Sequence, residues 1–392
     1  MKRYNHIRIF TIGLSVFMLA AGSLTVFARE EEPVTLPIAE PVVESIETPS
    51  DAAGFSVYEL TDEQTMHTAL QTAALLDDID NIKAYGEGLE ENSKPQGVVI
   101  RWMYDGEVPD EFVISLSENE DMSDAAEYVC EADADENMIY SFALKNLYLM
   151  KTYYYTICAE GSELSSDIHS FTTACDVPRN LDIDGVTNVR DMGGWPLEGG
   201  GYERQGMIYR GAKFNKDESE EPLVTPEGIT TLKDVLHIRS ELDFRTVEDN
   251  ENGGITKSVL GDDVNYYSMP WSASSISKAS DMIRDIMVLF SDENNYPIYF
   301  HCSIGTDRTG FIAVLIHGLL GVSEDDIYRD YVFSDLGVIE TAREAKNMRN
   351  RVEKNIKVCE GETFQEQVQN YLLGIGVTRE QIDSIIDIMT VK

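Results

Sequence analysis

Positive charge is scarce in this chain. Its 392 residues hold 31 Lys and Arg against 70 Asp and Glu, a formal net charge of -39. A surface with this excess of negative charge repels polyanions and anionic membranes, so we expect no nucleic-acid partner. An anionic substrate would need a strongly positive pocket. The simpler interpretation of the charge is solubility.

Cysteine is also sparse, and its pattern excludes two common kinds of site. The five cysteines are Cys130, Cys158, Cys175, Cys302 and Cys359. They form no C-x-x-C pair, and no His or Cys lies at zinc-ligand spacing from Cys302, so we predict no metal site and no cofactor. Their disulfide connectivity stays open, although Cys302 would have to remain free if it is catalytic.

Long apolar runs are scarce, and the sequence has one, Ile9–Ala28. It follows three basic residues and ends in "VFA", a small-x-small cleavage pattern. We therefore expect a signal peptide over residues 1–28 and a secreted or cell-surface protein. The alternative is an uncleaved anchor, because the run is long enough to span a bilayer.

The middle of the chain changes pattern several times. Residues 29–55 are rich in Glu and Pro and predict a linker, while residues 56–95 have partly helical composition without a firm assignment. From residue 96 the apolar residues recur with period two, and "GVVIRWMY" and "EFVISLS" predict strands. Several short strands with polar turns over residues 96–175 predict a β-sandwich.

One strand of this region is distinctive. The stretch "LYLMKTYYYTI" places Leu147, Tyr153 and Tyr155 on one face. It resembles the penultimate strand of the fibronectin type III family, L-x-P-x-T-x-Y-x-Y, with Leu149 in place of Pro and Lys151 in place of Thr. The resemblance implies an all-β immunoglobulin-like sandwich. A tyrosine stripe of this kind predicts core packing, and whether the sandwich binds a surface ligand or a protein stays unknown.

The remaining residues, 176–392, alternate strands with helices. "YPIYFHC" predicts a buried strand, "RTGFIAVLIHGLLG" a buried helix that ends at Gly321, and "TREQIDSIIDIM" a closing amphipathic helix. Such alternation is typical of an α/β domain with a central, mainly parallel sheet flanked by helices.

The stretch "YFHCSIGTDRTGF" carries the strongest chemical signal. A predicted strand ends at His301-Cys302, and an apolar helix follows Arg308. The loop between them wraps a helix N-terminus, where backbone amides favour an anion and stabilise a Cys302 thiolate. Arg308 offers a fork of donors that fits two phosphate oxygens. The plain alternative is a buried cysteine between a strand and a helix.

The other residues of this stretch have supporting roles. We expect the backbone amides from Ser303 to Arg308, those of Ile304 and Thr306 included, to face the anion, and Gly305 to allow the backbone to approach it closely. Thr309 can hydrogen-bond the sulfur. We expect His301 to orient the loop and to help lower the pKa of the cysteine.

Four further segments share the order of motifs in a known family. "NVRDMGGWP", "GMIYRGAKF" and "LDFRTVEDNE" precede the loop, and "DIYRDYVFSD" follows it. With "HCSIGTDRTGF" they resemble the bacterial tyrosine-phosphatase family that reads N-x-R-D-x-G-G, R-S/G-A, D-x-R and H-C-x-x-G-K-D-R-T-G. The match spans about residues 180–335. It implies hydrolysis of phosphomonoesters through a phosphocysteine, on a phosphorylated protein or a small phosphomonoester.

One departure from the family bears on the substrate. Thr306 stands where the family usually has a lysine, and the resemblance implies that this lysine favours polyanionic substrates such as phosphoinositides. We therefore expect a protein tyrosine phosphatase-like enzyme, dual specificity included. A phosphoinositide or inositol-phosphate phosphatase is the alternative. A catalytically weak surface-binding protein is a second one, although Cys302, Arg308 and Thr309 are all retained.

The leaving oxygen also needs a carboxylic acid. Many relatives carry it on a separate loop before the cysteine, but "YYSMPWSASS" in that region holds no carboxylate. In the resembled family the aspartate of the cysteine loop is the proposed acid, which indicates Asp307. Asp243 is the second candidate.

Four more residues are candidates for the rim of the site. Asp191 is a weaker candidate acid or substrate contact, and the alternative is a hydrogen bond that ties the start of the domain to the loop. We expect Arg245 to pair with a carboxylate near the site. Arg210 and Lys213 either extend the positive pocket or form surface salt bridges.

Overall fold

The structure is a computed structural model, and it describes residues 54–86, 89–162, 164–216, 222–246 and 254–391. The predicted signal peptide and nearly all of the predicted linker lie outside these residues. Within them, no helix is both long and apolar enough to cross a membrane. All five cysteines are free thiols.

Two antiparallel sheets form the first part of the described chain. Their strand orders are β1-β2-β5 and β4-β3-β6-β7. The strands are β1 (Phe55–Val57), β2 (Val98–Tyr104), β3 (Glu111–Ser117), β4 (Ala126–Glu131), β5 (Tyr140–Leu144), β6 (Thr152–Ala159) and β7 (His169–Thr172). Both sheets contribute to one apolar core, since alternate residues such as Tyr153, Tyr155 and Ile157 point inward.

The sequence predicted most of these strands but not β1 and β4. The stretch "EFVISLS" forms β3 as expected, and the tyrosine stripe of β6 is core. Strand β4 pairs with β3 without having been predicted, and β1 pairs with β2 although the sandwich was expected to begin at residue 96. A strand of three residues is too short to show a period-two pattern. Membership of the fibronectin type III family stays a prediction.

Residues 66–86 and 89–96 form the described parts of a segment that we call the strap. The amide of Gln96 donates to the carbonyl of Met66, so the two ends of the strap meet. Between them lie helix α1 (Ala69–Leu76), which starts with a capping box at Thr68 and Gln71, and a 3-10 turn at Ile82–Tyr85. The partly helical composition of residues 56–95 corresponds to these two elements.

A five-stranded sheet organises the C-terminal domain. Its order is β12-β11-β13-β10-β8, parallel except for the edge strand β8. The strands are β8 (Arg190–Asp191), β10 (Ile208–Gly211), β11 (Ser240–Asp243), β12 (Asn265–Ser268) and β13 (Ile298–His301). A separate pair joins β9 (Tyr202–Glu203) to β14 (Thr390–Val391). The predicted mixed α/β architecture is confirmed.

Strand β13 lies at the centre of the sheet, with parallel partners on both sides. Ile298 and Phe300 pack into one apolar core, and Tyr299 packs into another. Both faces of the strand are therefore covered, which explains its continuous run of buried residues.

Seven helices accompany the sheet in the described part of this domain. They are α2 (Pro226–Thr230), α3 (Ser280–Phe290), α4 (Asp307–Leu320), α5 (Glu324–Phe333), α6 (Ala345–Asn355), α7 (Phe364–Gly374) and α8 (Arg379–Met389). Helix α4 is buried almost all round and ends at Gly321, whose left-handed φ of 91° caps it as predicted. The predicted capping box of α8, Thr378 with Gln381, is also present.

Candidate active site

The central strand and the most buried helix meet at the predicted cysteine. Strand β13 ends at His301, and α4 begins at Asp307. We call residues 302–308 the Cys302 loop; they follow the strand and include the first two residues of the helix. Gly305 has a φ of 72° and lies against the backbone of Gly211 in β10. A left-handed residue without a Cβ lets the loop turn tightly there.

Cys302 is buried, with 2% of its surface exposed, yet its surroundings favour the thiolate. Burial by itself opposes ionisation of the sulfur. The charge of Arg308, the side chain and amide of Thr309 and the amide of Ile304 act in the opposite direction and outweigh it. The pKa of Cys302 therefore lies below its ordinary value, as a nucleophilic thiol requires.

Arg308 and Thr309 both act on the Cys302 sulfur. One guanidinium nitrogen of Arg308 donates to the carbonyl of Phe244 at 3.2 Å, and the side chain is half-buried. The Thr309 hydroxyl is buried and makes no hydrogen bond to a nitrogen or oxygen atom in the described part of the chain. Its effect on the neighbouring sulfur agrees with the contact that the sequence predicts.

His301 is held between acidic groups beneath the loop. Its Nε2 lies 2.9 Å from Oε1 of Glu241, and its Nδ1 lies 3.1 Å from the carbonyl of Cys302. Burial lowers the pKa of the imidazole, but the charges of Asp243 and Glu241 outweigh that effect and raise it. A protonated His301 joins Cys302 to strand β11 and so orients the loop.

The second candidate acid, Asp243, is engaged in a buried ion pair. Arg245 donates to both of its carboxylate oxygens, and the Tyr266 hydroxyl adds a bond of 2.9 Å. Burial raises the pKa of Asp243, whereas His301 and Arg245 lower it and prevail. The expected pairing of Arg245 with a carboxylate is confirmed. Asp243 is thereby kept ionised and inaccessible, which favours a structural role.

The surface salt bridge considered for Arg210 is wrong, because the ion pair that the residue forms is buried. It is completely buried, its Nη1 lies 2.5 Å from Asp330 and its Nη2 donates to the carbonyl of Gly305 at 2.9 Å. Burial and the neighbouring Arg190 lower the pKa of Arg210 to about 9. Arg190 binds the other oxygen of Asp330 at 2.6 Å. This buried triad supports the loop from the side facing the core.

Asp191 bonds groups outside the Cys302 loop. It is fully buried, pairs with Arg179 and accepts hydrogen bonds from the amides of Gly193 and Gly206. Three donors on one carboxylate fit a structural anchor at the start of the domain. Lys213 is closer to the site, since its amide lies 3.5 Å from the carbonyl of Ser303.

Asp307 is the partly exposed acid at the loop, with 27% of its side chain accessible. It accepts hydrogen bonds from Arg343 at 3.1 Å and from the Tyr331 hydroxyl at 3.3 Å, and it forms an ion pair with Arg351 at 3.0 Å. Burial raises the pKa of this carboxyl, but the two arginines outweigh it and hold the pKa below its ordinary value. Asp307 is therefore a carboxylate before any ligand binds.

Several groups that shape the site were not predicted from the sequence. Asn188 donates through Nδ2 to the carbonyl of Ile304 at 2.9 Å. Thr306, a predicted loop residue, is fully buried, and its hydroxyl donates to the same carbonyl at 3.3 Å. Asn188 lay inside a recognised motif, but the motif assigned it no role. Arg343 and Arg351 lie beyond the segments that carried the resemblance, and a pair of surface-type arginines gives no signal of its own.

The described residues hold no group of three or more His, Cys, Asp or Glu side chains arranged for a metal ion. What the loop offers is a buried thiolate, a guanidinium and inward-facing amides. That combination binds a tetrahedral oxyanion and places a sulfur nucleophile against its central atom.

Replacing Gly305 by alanine should deform this site. The new Cβ would overlap the carbonyl of Gly211, and the left-handed φ adds strain of about 1–2 kcal/mol. We expect orthovanadate to bind roughly tenfold more weakly or worse, measured by titration calorimetry. Gly199→Ala is the control, because nothing lies within 4 Å of its added Cβ. Equal affinity in both variants would contradict the assigned role of Gly305.

The chain is similar in part to several known proteins. A candidate tyrosine-protein phosphatase of Cupriavidus necator is 25% identical over 183 residues, and the match spans 40% of this chain but 63% of that relative. TpbA of P. aeruginosa (16% identity, TM-score 0.29) aligns over 43% of this chain and 86% of its own. The PP-IP phosphatase SIW14 core domain of S. cerevisiae (17%, TM-score 0.27) aligns over 41% and 94%.

The family profile gives the decisive match. It describes the tyrosine phosphatase family and aligns with residues 181–390, which is more than half of the 392 residues. That range contains all seven helices, the five-stranded sheet and the Cys302 loop. The chain belongs to the tyrosine phosphatase family.

Proposed function

We propose that this chain is an exported phosphomonoester hydrolase of the protein tyrosine phosphatase type, dual specificity included, that acts through a phosphocysteine. One observation carries the proposal. The Cys302 thiol has a lowered pKa in a loop whose amides and Arg308 are arranged for an oxyanion. Membership of the tyrosine phosphatase family supports it.

The first step transfers the phosphoryl group to the enzyme. The Cys302 thiolate attacks phosphorus in line, a sulfur–phosphorus bond forms and the bond to the leaving oxygen breaks. Arg308 and the loop amides hold the three equatorial oxygens as charge shifts among them. Asp307 donates its proton to the leaving oxygen.

The second step regenerates the enzyme. Asp307, now a carboxylate, takes a proton from water as the water oxygen attacks phosphorus. The sulfur–phosphorus bond breaks, phosphate leaves and the Cys302 thiolate returns.

Asp307 must gain a proton before the first step. In the free protein Arg343 and Arg351 hold it ionised. A phosphate dianion bound beside Arg308 adds negative charge close by and raises the pKa of Asp307 in the complex. The arginines then compensate the bound phosphate in place of the carboxylate.

Turnover of p-nitrophenyl phosphate in EDTA tests the proposal. The full chain should hydrolyse it, and Cys302→Ser should reduce kcat by roughly 10⁴-fold or more, because the serine hydroxyl is not ionised at neutral pH. Cys359→Ser is the matched control, since the pKa of that half-buried thiol is raised by burial. Full activity in the Cys302 variant would overturn the mechanism.

Asp307→Asn tests the acid. We expect kcat for a phosphotyrosine peptide to fall roughly 10²–10⁴-fold, because tyrosine is a poor leaving group with a pKa of about 10. The loss on p-nitrophenyl phosphate should be much smaller. Asp243→Asn should lower both rates by a similar factor, since its role is structural. A leaving-group dependence confined to the Asp243 variant would transfer the role to that residue.

A phosphoinositide or inositol-phosphate phosphatase is the second candidate function, and one observation favours it. Arg343 and Arg351 lie beside Asp307, at 3.1 and 3.0 Å, so the edge of the loop carries positive charge although Thr306 does not. A substrate with a second phosphate would meet that charge.

Comparative kinetics separate the two functions. We expect kcat/KM to be higher on phosphotyrosine peptides than on inositol phosphates, and Thr306→Lys to raise the inositol-phosphate value about tenfold through one added charge pair. Thr306→Val, which adds no charge, is the control. A wild-type preference for inositol phosphates that Arg351→Ala abolishes would instead support the second candidate.

The export proposal depends on the basic, then apolar, residues 1–28, and the partner of the two-sheet domain is unidentified. The remaining alternative is a surface-binding protein with little catalysis. Tight orthovanadate binding without turnover on any monoester would support that alternative.

A further inference from the structure

The strap lies outside residues 181–390 that the family profile matches, yet Ser93 of the strap bonds Asn188 within that range. Gln71 of α1 donates through Nε2 to the carbonyls of Asn92 at 2.7 Å and Lys94 at 2.8 Å, which closes the strap on itself. Asn180 then donates to Oε1 of Gln71 and to the carbonyl of Ser93. These side chains are buried, so water does not replace the bonds when they break.

One route leads from the strap to the Cys302 loop through Ser93. This serine is 1% exposed, and its Oγ accepts the amide hydrogen of Asn188 at 3.0 Å. Asn188 has a φ of 61°, a left-handed conformation that needs support from its surroundings. Its Nδ2 donates to the carbonyl of Ile304, the loop residue whose amide faces the Cys302 sulfur.

A second route leads to Asp307. Gly86 of the strap lies so close to Asp335 that a Cβ would overlap the carbonyl of Asp335. The Asp335 carboxylate accepts the amide hydrogen of Arg343 at 2.8 Å, and the Arg343 side chain bonds Asp307. Lys83 of the strap also pairs with Glu344 at 2.9 Å. The strap therefore contacts the segment that supplies Arg343.

Helix α1 of the strap is also held against α5. Arg329 of α5 donates to the carbonyl of Leu75, in the last turn of α1, at 2.6 Å and to that of Asp77, the residue after the helix, at 3.0 Å. Ala74 packs in a small apolar core with Phe333 and Leu336. Polar caps and apolar packing together hold the strap in one position.

We propose that the strap is a positioning element of the Cys302 loop, and that Ser93 is its key positioning residue. Ser93 holds Asn188, Asn188 holds the Ile304 carbonyl, and the Ile304 amide is thereby aimed at the sulfur. This inference depends on the proposed function only for its effect on turnover. Its effect on the thiol holds whether or not the protein hydrolyses phosphate.

Ser93→Ala is the test. The variant leaves the buried amide of Asn188 without its acceptor, and we expect Ile304 to lose its fixed orientation. The rate of alkylation of Cys302 by iodoacetamide, followed at the Cys302 peptide by mass spectrometry, should show an apparent pKa about one unit higher. We expect kcat/KM on p-nitrophenyl phosphate to fall roughly tenfold.

Two variants control for general destabilisation. Ser117→Ala removes a comparably buried serine whose hydroxyl bonds Asn119 and Asp124 in the two-sheet domain. It should lower the melting temperature but leave kcat/KM and the alkylation profile of Cys302 unchanged. Ser93→Thr keeps the hydroxyl and should restore both quantities.

The outcomes separate the two proposals. An unchanged alkylation profile and unchanged kcat/KM in Ser93→Ala would overturn the positioning role. A shifted profile in a protein that hydrolyses no monoester would support the positioning role and contradict the proposed function. If Ser93→Ala does not fold, Asn180→Ala, which releases the Ser93 carbonyl, should shift the profile in the same direction, and no shift would overturn the role.

Discussion

A negative charge on the buried sulfur of Cys302 is the constraint that orders this structure. Only 2% of the residue is exposed, and the chain has a net charge of -39, so the compensation must come from a few groups placed close by. Arg308 and two inward amides supply it directly. Beneath them, Arg210 holds the Gly305 carbonyl and forms an ion pair with Asp330. Asp330 also binds Arg190, so two buried guanidinium groups share one carboxylate and the triad keeps positive charge beneath the loop.

The arrangement of the sheet explains why this field is rigid. Strand β13 has a partner on each side, and both of its faces are packed against apolar cores. The loop leaves such a strand at a fixed point and enters α4, a helix buried almost throughout. Neither end of the loop can move without disturbing a core, so its amides are oriented before a ligand arrives.

Local patterns predicted the nucleophile, and long-range contacts determined its support. The strand, the loop and the helix around Cys302 are adjacent in sequence, so the residue types of one short stretch were enough to predict them. Glu241, Asp330 and Arg343 reach the site from segments distant in sequence, and although Asp330 lies inside the motif "DIYRDYVFSD", no pattern assigned any of the three a role. Arg210 shows the limit most clearly, since a buried and an exposed arginine look alike in a sequence.

The strap has a consequence for how this protein divides into modules. The described residues all belong to one compact unit, while the family profile begins at residue 181. A fragment cut at that boundary would keep every catalytic motif and lose Ser93, Gln71 and the packing of α1 on Phe333. The segment that the family profile matches is therefore shorter than the unit that folds as a whole. Fusion proteins and expression fragments of this chain should include the strap rather than begin at residue 181.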